Sequence, residues 1–162
     1  MLKVRIVGIN NNFFTKYDLY NVDSEIMPNE TNGHKRPYVI VLRLKYAGGR
    51  QDFAIPFRSN ISGNCNKLDY FALPPRSETK PRNRHGLHFA KMLPIDKAYF
   101  VKYNYPTNNA NATLTLNYIQ KNFGRLVQEA QSYIDRFAKG NRPPLCVDID
   151  KIYGAIKAGE SF

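Results

Sequence analysis

The sequence predicts an α+β domain on three observations: strand-like segments fill its first two thirds, one long amphipathic helix comes late, and 162 residues suffice for a single core. One domain, residues 1–162, is therefore expected. Residues 2–9 (LKVRIVGI) alternate charged and apolar side chains with β-branched enrichment, the pattern of a half-buried strand. From Asn10 to Arg36 the chain is rich in Asn, Asp, Glu, Pro and Gly, and it reads as a short helix or turn around Thr15 to Tyr20 followed by a polar loop. Tyr38 to Tyr46 (YVIVLRLKY), a turn at Ala47-Gly48-Gly49, and Arg50 to Phe57 (RQDFAIPF) form a β-hairpin, since glycine supplies the positive φ of a tight turn. Pro56 limits how far the second strand can pair.

Pro74 to Gly86 (PPRSETKPRNRHG) is expected to be a basic loop. Phe89 to Ile95 and Lys97 to Tyr103 return to strand-like composition, separated by Pro94 and Asp96. Ile119, Phe123, Leu126, Val127, Ala130, Ile134 and Phe137 then recur at three- and four-residue spacing, which predicts one helix of about seven turns packed on the sheet. Asn111 or Thr113 is expected to cap it and Gly140 to end it, with Pro143 and Pro144 barring continuation. A second, short helix is predicted from Asp148 to Ala158.

Charge points to the partner. The chain carries 24 Lys and Arg against 13 Asp and Glu, a formal charge of +11, and a body with that imbalance recruits polyanions. An anionic membrane is the competing partner, but the chain has no lipidation motif and no window apolar enough to span a bilayer. Lys3 and Arg5 interrupt the apolar start, so no signal peptide is read and a cytoplasmic location is expected. Cys65 and Cys146 lie far apart outside any CxxC, which argues for free thiols over a disulfide framework or structural zinc.

Chemistry-bearing residues concentrate between Arg76 and Lys91. Arg76, Lys80, Arg82 and Arg84 stand against the single acid Glu78, with His85 and His88 beside them, as suits a segment that tracks phosphates. Tyr99, Phe100, Tyr103 and Tyr105 interleave with Lys97 and Lys102, and aromatic faces among cations stack unpaired bases. Cutting RNA without a metal needs a base for the 2′-hydroxyl, an acid for the 5′-oxygen and a cation on the phosphate. His85 or His88 could supply the first two, because an unperturbed imidazole titrates near pH 6.5. Arg58-Ser59-Asn60 is expected just after the hairpin's second strand, where the chain leaves the sheet, and Lys35-Arg36 lies at the hairpin's entrance. Asp148 and Asp150 are explained by helix capping and the helix dipole, so no metal is expected. No phosphate-binding GxxxxGK[ST], GxSxG or Cys/His cluster is present.

KRPYVIVLRL, DFAIPFRSNI and GLHFAKMLPI, in that order and before a long helix, resemble the ToxN/AbiQ group of type III toxin endoribonucleases, most nearly its TenpN and CptN branches. The resemblance covers most of residues 35–138. It implies a strongly bent, barrel-like antiparallel sheet and metal-independent, cofactor-free RNA cleavage leaving a 2′,3′-cyclic phosphate and a 5′-hydroxyl. The implied partners are substrate mRNA and a small repeat-encoded pseudoknotted antitoxin RNA that the toxin cuts from its precursor, in a closed toxin–RNA assembly serving phage defence. Neither DNA nor a membrane is implied. By the resemblance Ser59 falls at an active-site hydroxyl, with Arg58 adjacent; Lys35 lies near a family lysine, and Lys91 matches a lysine in the GL-containing strand. The lysine that ToxN carries shortly after its serine is missing from Asn60-Ile61-Ser62, so Arg58, Lys35 or Lys91 must supply the charge. His88 is the candidate acid or base. Arg36, Tyr38, Arg76, Lys80, Arg82, Arg84, His85, Lys102 and Tyr103 are the expected RNA-binding residues. A non-catalytic RNA-binding module explains charge, aromatics and basic loop equally well, and a basic protein-interaction domain is the third reading.

Overall fold

The structure is a computed structural model and describes residues 4–29, 38–106 and 109–160. In chain order it contains β1 (Ile6–Ile9), α1 (Asn11–Lys16), α2 (Leu19–Val22), β2 (Tyr38–Tyr46), β3 (Gly49–Ser62), β4 (Tyr70–Ala72), β5 (Asn83–His88), β6 (Leu93–Pro94), β7 (Phe100–Lys102), α3 (Ala110–Lys121), α4 (Phe123–Ala138) and α5 (Ile149–Glu160). The strands form one antiparallel sheet in the order β4-β5-β3-β2-β1-β7, with β6 also paired to β3. The α+β class is as expected. The sheet bends but stays open, with β4 and β7 as its edges, so it is not a closed barrel.

The hairpin turns on two residues. Ala47 and Gly48 both have positive φ, 52° and 80°, and that backbone twist suits a tight two-residue hairpin loop. Ala47 holds this conformation against the clash between its Cβ and the following carbonyl. Ala47→Gly is therefore expected to stabilise the protein by about 0.5 to 1 kcal/mol, after the extra freedom glycine has in the unfolded chain, seen as a raised Tm.

Alternation along β2 divides the core between the two faces of the sheet. Ile40, Leu42 and Leu44 pack with Phe53, Leu126, Ala130, Ile134 and Phe137 beneath α4, while Val39 and Val41 pack with Phe13, Phe14, Ile152 and Ile156 beneath α1 and α5. The sheet is thus the middle of three layers. Toward the hairpin tip Arg43 and Lys45 emerge into solvent.

The late helix is two helices. At Asn122 the backbone leaves the helical range (φ −111°, ψ 20°), and the Asn122 side-chain amide donates to the Tyr118 carbonyl at 2.8 Å. A short amide that competes for the helix's own carbonyls breaks it there without shifting the apolar stripe. The cap is Asn109, whose side-chain oxygen accepts from the backbone of Asn111 and Ala112. Gly140, at φ +90°, ends α4 as expected, and Asn141 N–H returns to the Arg136 carbonyl at 2.9 Å. The expected strand over residues 89–95 is mostly a 3₁₀ turn, leaving only Leu93–Pro94 paired; Lys97–Tyr99 is a second such turn, with Asp96 accepting from the backbone of Ala98 at 2.8 Å.

Candidate functional site

β3 changes partners at the point where the sheet bends. It pairs with β2 as far as Pro56 and with β5 from Phe57 onward, so the chain does not leave the sheet at Arg58-Ser59-Asn60 as expected but carries those residues inside the strand. Arg58 lies opposite Gly86 and Ile61 opposite Arg84, which leaves Ser59 and Asn60 together opposite His85. This is a β-bulge, a device that re-aims side chains.

Arg58 points from the bulge into a groove of about 830 Å³. The groove runs between the segment after α2 (Glu25, Met27, Pro28) and the segment before α5 (Pro144, Leu145). Inside it, Arg58 Nη1 and His88 Nδ1 are 3.0 Å apart. A guanidinium only donates, so Nδ1 accepts and the ring proton sits on Nε2. Nε2 in turn faces Cys65 Sγ at 3.8 Å, and the thiol faces the Asn66 carbonyl at 3.7 Å. Burial, reinforced by the charges of Arg58 and Lys91, pushes the His88 imidazole down to about pKa 4, so it is neutral near pH 7. Burial also raises the Cys65 thiol, with Asp69 adding to the effect, so Cys65 is not a thiolate nucleophile.

Among the described residues Arg58 has no carboxylate partner. Arg43, Arg76, Arg125 and Arg142 approach Asp52, Glu78, Glu129 and Asp150 at 3.4, 3.4, 3.2 and 2.7 Å. Among the described residues Arg58 has only the neutral His88 ring as a hydrogen-bond partner. A half-buried cation that makes no ion pair among the described residues, facing a groove that Glu25 and Asp69 also line, is an anion site in waiting.

Lys91 lies in the same groove but is differently employed. Its Nζ donates to the carbonyls of Leu145 (2.7 Å) and Glu25 (3.3 Å) and lies 3.8 Å from the Glu25 carboxylate. It ties the two rims together, with two of its three protons given to backbone carbonyls.

On the far side of the bulge the basic loop is pinned down. Asn60 Oδ1 accepts from Lys80 N–H at 2.8 Å and Asn83 Nδ2 at 3.3 Å, and Asn60 Nδ2 donates to the Glu78 carbonyl at 3.0 Å. Asn60→Ala removes all three and is expected to cost about 1 to 2 kcal/mol, with faster amide exchange across residues 76–83. Lys80 and Arg82 remain exposed along the loop and Arg84 on β5, the end of the expected loop, Asn83 to Gly86, being strand. Arg76 donates from Nη1 to the Tyr38 hydroxyl at 3.3 Å, and Tyr38 stacks on Tyr103 with ring centres 4.5 Å apart. Phe57 and Tyr105 complete the cluster at 4.7 and 5.7 Å from Tyr38.

Comparison of the whole architecture with solved structures settles what fold this is. A chain from a bacterial type III toxin–antitoxin system, in which a non-coding RNA pseudoknot selectively inhibits the toxin, matches with a TM-score of 0.73 at 16% identity, covering 99% of this chain and 100% of that one. The chain has the ToxN/AbiQ fold. AbiQ, a lactococcal anti-phage endoribonuclease of the type III toxin–antitoxin class, matches with a TM-score of 0.71 at 11% identity over 99% of this chain and 100% of its own. A chain from a bacterial antiviral system regulated by a processed non-coding RNA matches with a TM-score of 0.69 at 15% identity, over 98% of each. No family model and no curated protein matches the sequence. These likenesses do not single out the TenpN or CptN branch.

Within the ToxN/AbiQ fold two groups of the expected site residues come together. Arg58, His88 and Lys91 meet in the groove, and Tyr38, Arg76 and Tyr103 meet in the aromatic cluster. Ser59 is half-buried on the bulge between them; it does not line the groove, and its hydroxyl has no hydrogen-bond partner among the described residues. Lys102 is exposed on edge strand β7. Lys35 and Arg36 lie outside the described residues.

His85 is a correction. It is only 2% exposed, and its Nδ1 lies 2.7 Å from the Pro74 carbonyl. Burial lowers its pKa. The ring fastens the base of the loop from inside and offers no face to RNA. Asp148 and Asp150 are both engaged by Arg142, at 3.4 and 2.7 Å, and Asp148 also accepts from the backbone of Lys151 at 3.2 Å, as its capping role requires. No helix among the described residues is long and apolar enough to cross a membrane. Sequence reasoning missed Cys65, Asn66, Glu25 and the loop-pinning role of Asn60. Only the β3–β5 register brings 58 and 88 together, and no spacing in the chain announces it.

Proposed function

We propose that this chain is a type III toxin: an endoribonuclease that cuts RNA without a metal ion and is held inactive by a small repeat RNA that it processes itself. The observation that carries the reading is Arg58, a guanidinium without a carboxylate, set on a bulge and facing a groove in the ToxN/AbiQ fold. In RNA cleavage by its own 2′-hydroxyl, the oxygen gives its proton to water as it bonds to phosphorus, the bond to the 5′-oxygen breaks, that oxygen takes a proton from water, and negative charge grows on the nonbridging oxygens in between. Arg58 meets that charge with paired N–H donors. Ser59, next along the bulge with an unengaged hydroxyl, positions the 2′-hydroxyl or a nonbridging oxygen. The products are a 2′,3′-cyclic phosphate and a 5′-hydroxyl. Lys35 is assigned to the same site by resemblance alone.

The exposed cations Lys80, Arg82 and Arg84 track the RNA backbone, and Tyr38 and Tyr103, with Arg76 and Lys102, hold unpaired bases. Neutralising Lys80, Arg82 and Arg84 together is expected to reduce the slope of log affinity against log salt by about two to three, because each lost phosphate contact removes nearly one counterion. The reading as a whole is tested on protein purified from cells carrying its native locus, by sequencing the RNA that accompanies it. One discrete short RNA with 5′-hydroxyl and 2′,3′-cyclic phosphate ends is expected. A heterogeneous spread of cellular RNA lacking such ends, or no RNA, would overturn the proposal and leave a binding module.

A further inference from the structure

His88 invites the role of acid or base, since it is an imidazole beside the cation proposed to hold the phosphate. Its surroundings assign it another. Nδ1 is committed as acceptor to Arg58 at 3.0 Å, Nε2 faces Cys65 Sγ at 3.8 Å, and the thiol faces the Asn66 carbonyl at 3.7 Å. Every donor in this chain runs one way, from guanidinium to ring to thiol to backbone. The ring is 7% exposed, and each of its nitrogens already faces a partner within the protein.

We infer that His88 is a positioning residue: a neutral imidazole, locked with its proton on Nε2, that aims the Arg58 guanidinium into the groove and neither gives nor takes a proton in cleavage. The inference rests on the reading of Arg58 as the phosphate-binding group. It also explains why a ring stands where a carboxylate would be the common partner for arginine. A carboxylate would orient the guanidinium equally well but cancel the charge that the phosphate needs. A neutral acceptor orients it and leaves the charge intact. Cys65 and Asn66 hold the tautomer by occupying the other nitrogen.

Three substitutions separate this role from acid–base catalysis. His88→Asn keeps a neutral acceptor, His88→Asp keeps an acceptor but adds charge, and His88→Phe keeps bulk without an acceptor. Single-turnover cleavage is expected within about tenfold of wild type for His88→Asn, and down about a hundredfold for His88→Phe, the cost of a misplaced catalytic donor. His88→Asp is expected to weaken RNA binding as well as slow cleavage. An equal loss in His88→Asn and His88→Phe would overturn the inference, because removal of a general acid or base does not distinguish them. The ring nitrogens are read independently by ¹⁵N NMR of the wild-type protein. An unprotonated Nδ1 and protonated Nε2, unchanged between about pH 5.5 and 8, are expected, and a protonated Nδ1 would overturn the inference. That readout needs no folded variant and no cleavage, so it decides the tautomer even if wild-type protein binds RNA without cutting it, the outcome that defeats the nuclease reading instead.

Discussion

Arg58→Ala is expected to lower single-turnover RNA cleavage by about 10²- to 10³-fold, the usual cost of deleting one preorganised donor to a developing oxyanion. Little stability should go with it. Arg58 is half-buried and takes part in no ion pair among the described residues, so its removal strands no buried carboxylate and leaves only the His88 acceptor without its donor. Arg58→Lys is expected to recover little, because an ammonium is a point charge that cannot accept the fixed two-pronged geometry or keep the same bond to His88. The measurement is cleavage rate beside thermal unfolding for each variant. A folded Arg58→Ala protein that cuts RNA at the wild-type rate would remove Arg58 from the mechanism.

The second large effect is on stability against pH. His88 is neutral in the folded protein down to about pH 4, whereas in the unfolded chain it takes up a proton near 6.5. Between those values the unfolded state binds more protons, so stability is fully present above about pH 6.5 and is lost as pH falls toward 4. The shift corresponds to about 3 kcal/mol lost across the window. His85, also buried and lowered, acts in the same direction. Urea unfolding at pH 7 and pH 4 is expected to show this loss in wild type and a smaller one in His88→Asn. Equal losses in the two proteins would mean that His88 titrates normally in the folded state.

What the sequence disclosed, and what it hid, follows the range of the interactions. The hairpin was legible because Ala47-Gly48 and the β-branched run beside it are local signals, and the stripe from Ile119 to Phe137 was legible because burial repeats every three or four residues. The break at Asn122 was not, since the stripe crosses it in phase and only a side-chain bond to Tyr118 reveals it. The resemblance assigned Arg58, Ser59, Lys35 and Lys91 to one site and left the place of His88 open; Arg58, His88 and Lys91 line one groove. Their jobs were not legible. Lys91 reads as a free cation until the carbonyls of Glu25 and Leu145, 66 and 54 residues away, are seen around it. His85 and His88 read as candidate acid and base because nothing in PRNRHGLH says that its last four residues are buried. Charge pattern alone marks where cations are dense; it does not mark which of them is left without an acid.

The central claim is that an unpaired Arg58 and its neighbour Ser59 make this chain a metal-independent ribonuclease. Protein stripped of RNA in denaturant, refolded, and incubated with a mixed transcript in excess EDTA tests it directly when new RNA ends are mapped beside Arg58→Ala and Ser59→Ala controls. New 2′,3′-cyclic phosphate ends made by wild type and lost in both variants are predicted. Intact RNA bound by folded wild-type protein would contradict the claim and reduce the likeness to ToxN and AbiQ to one of fold.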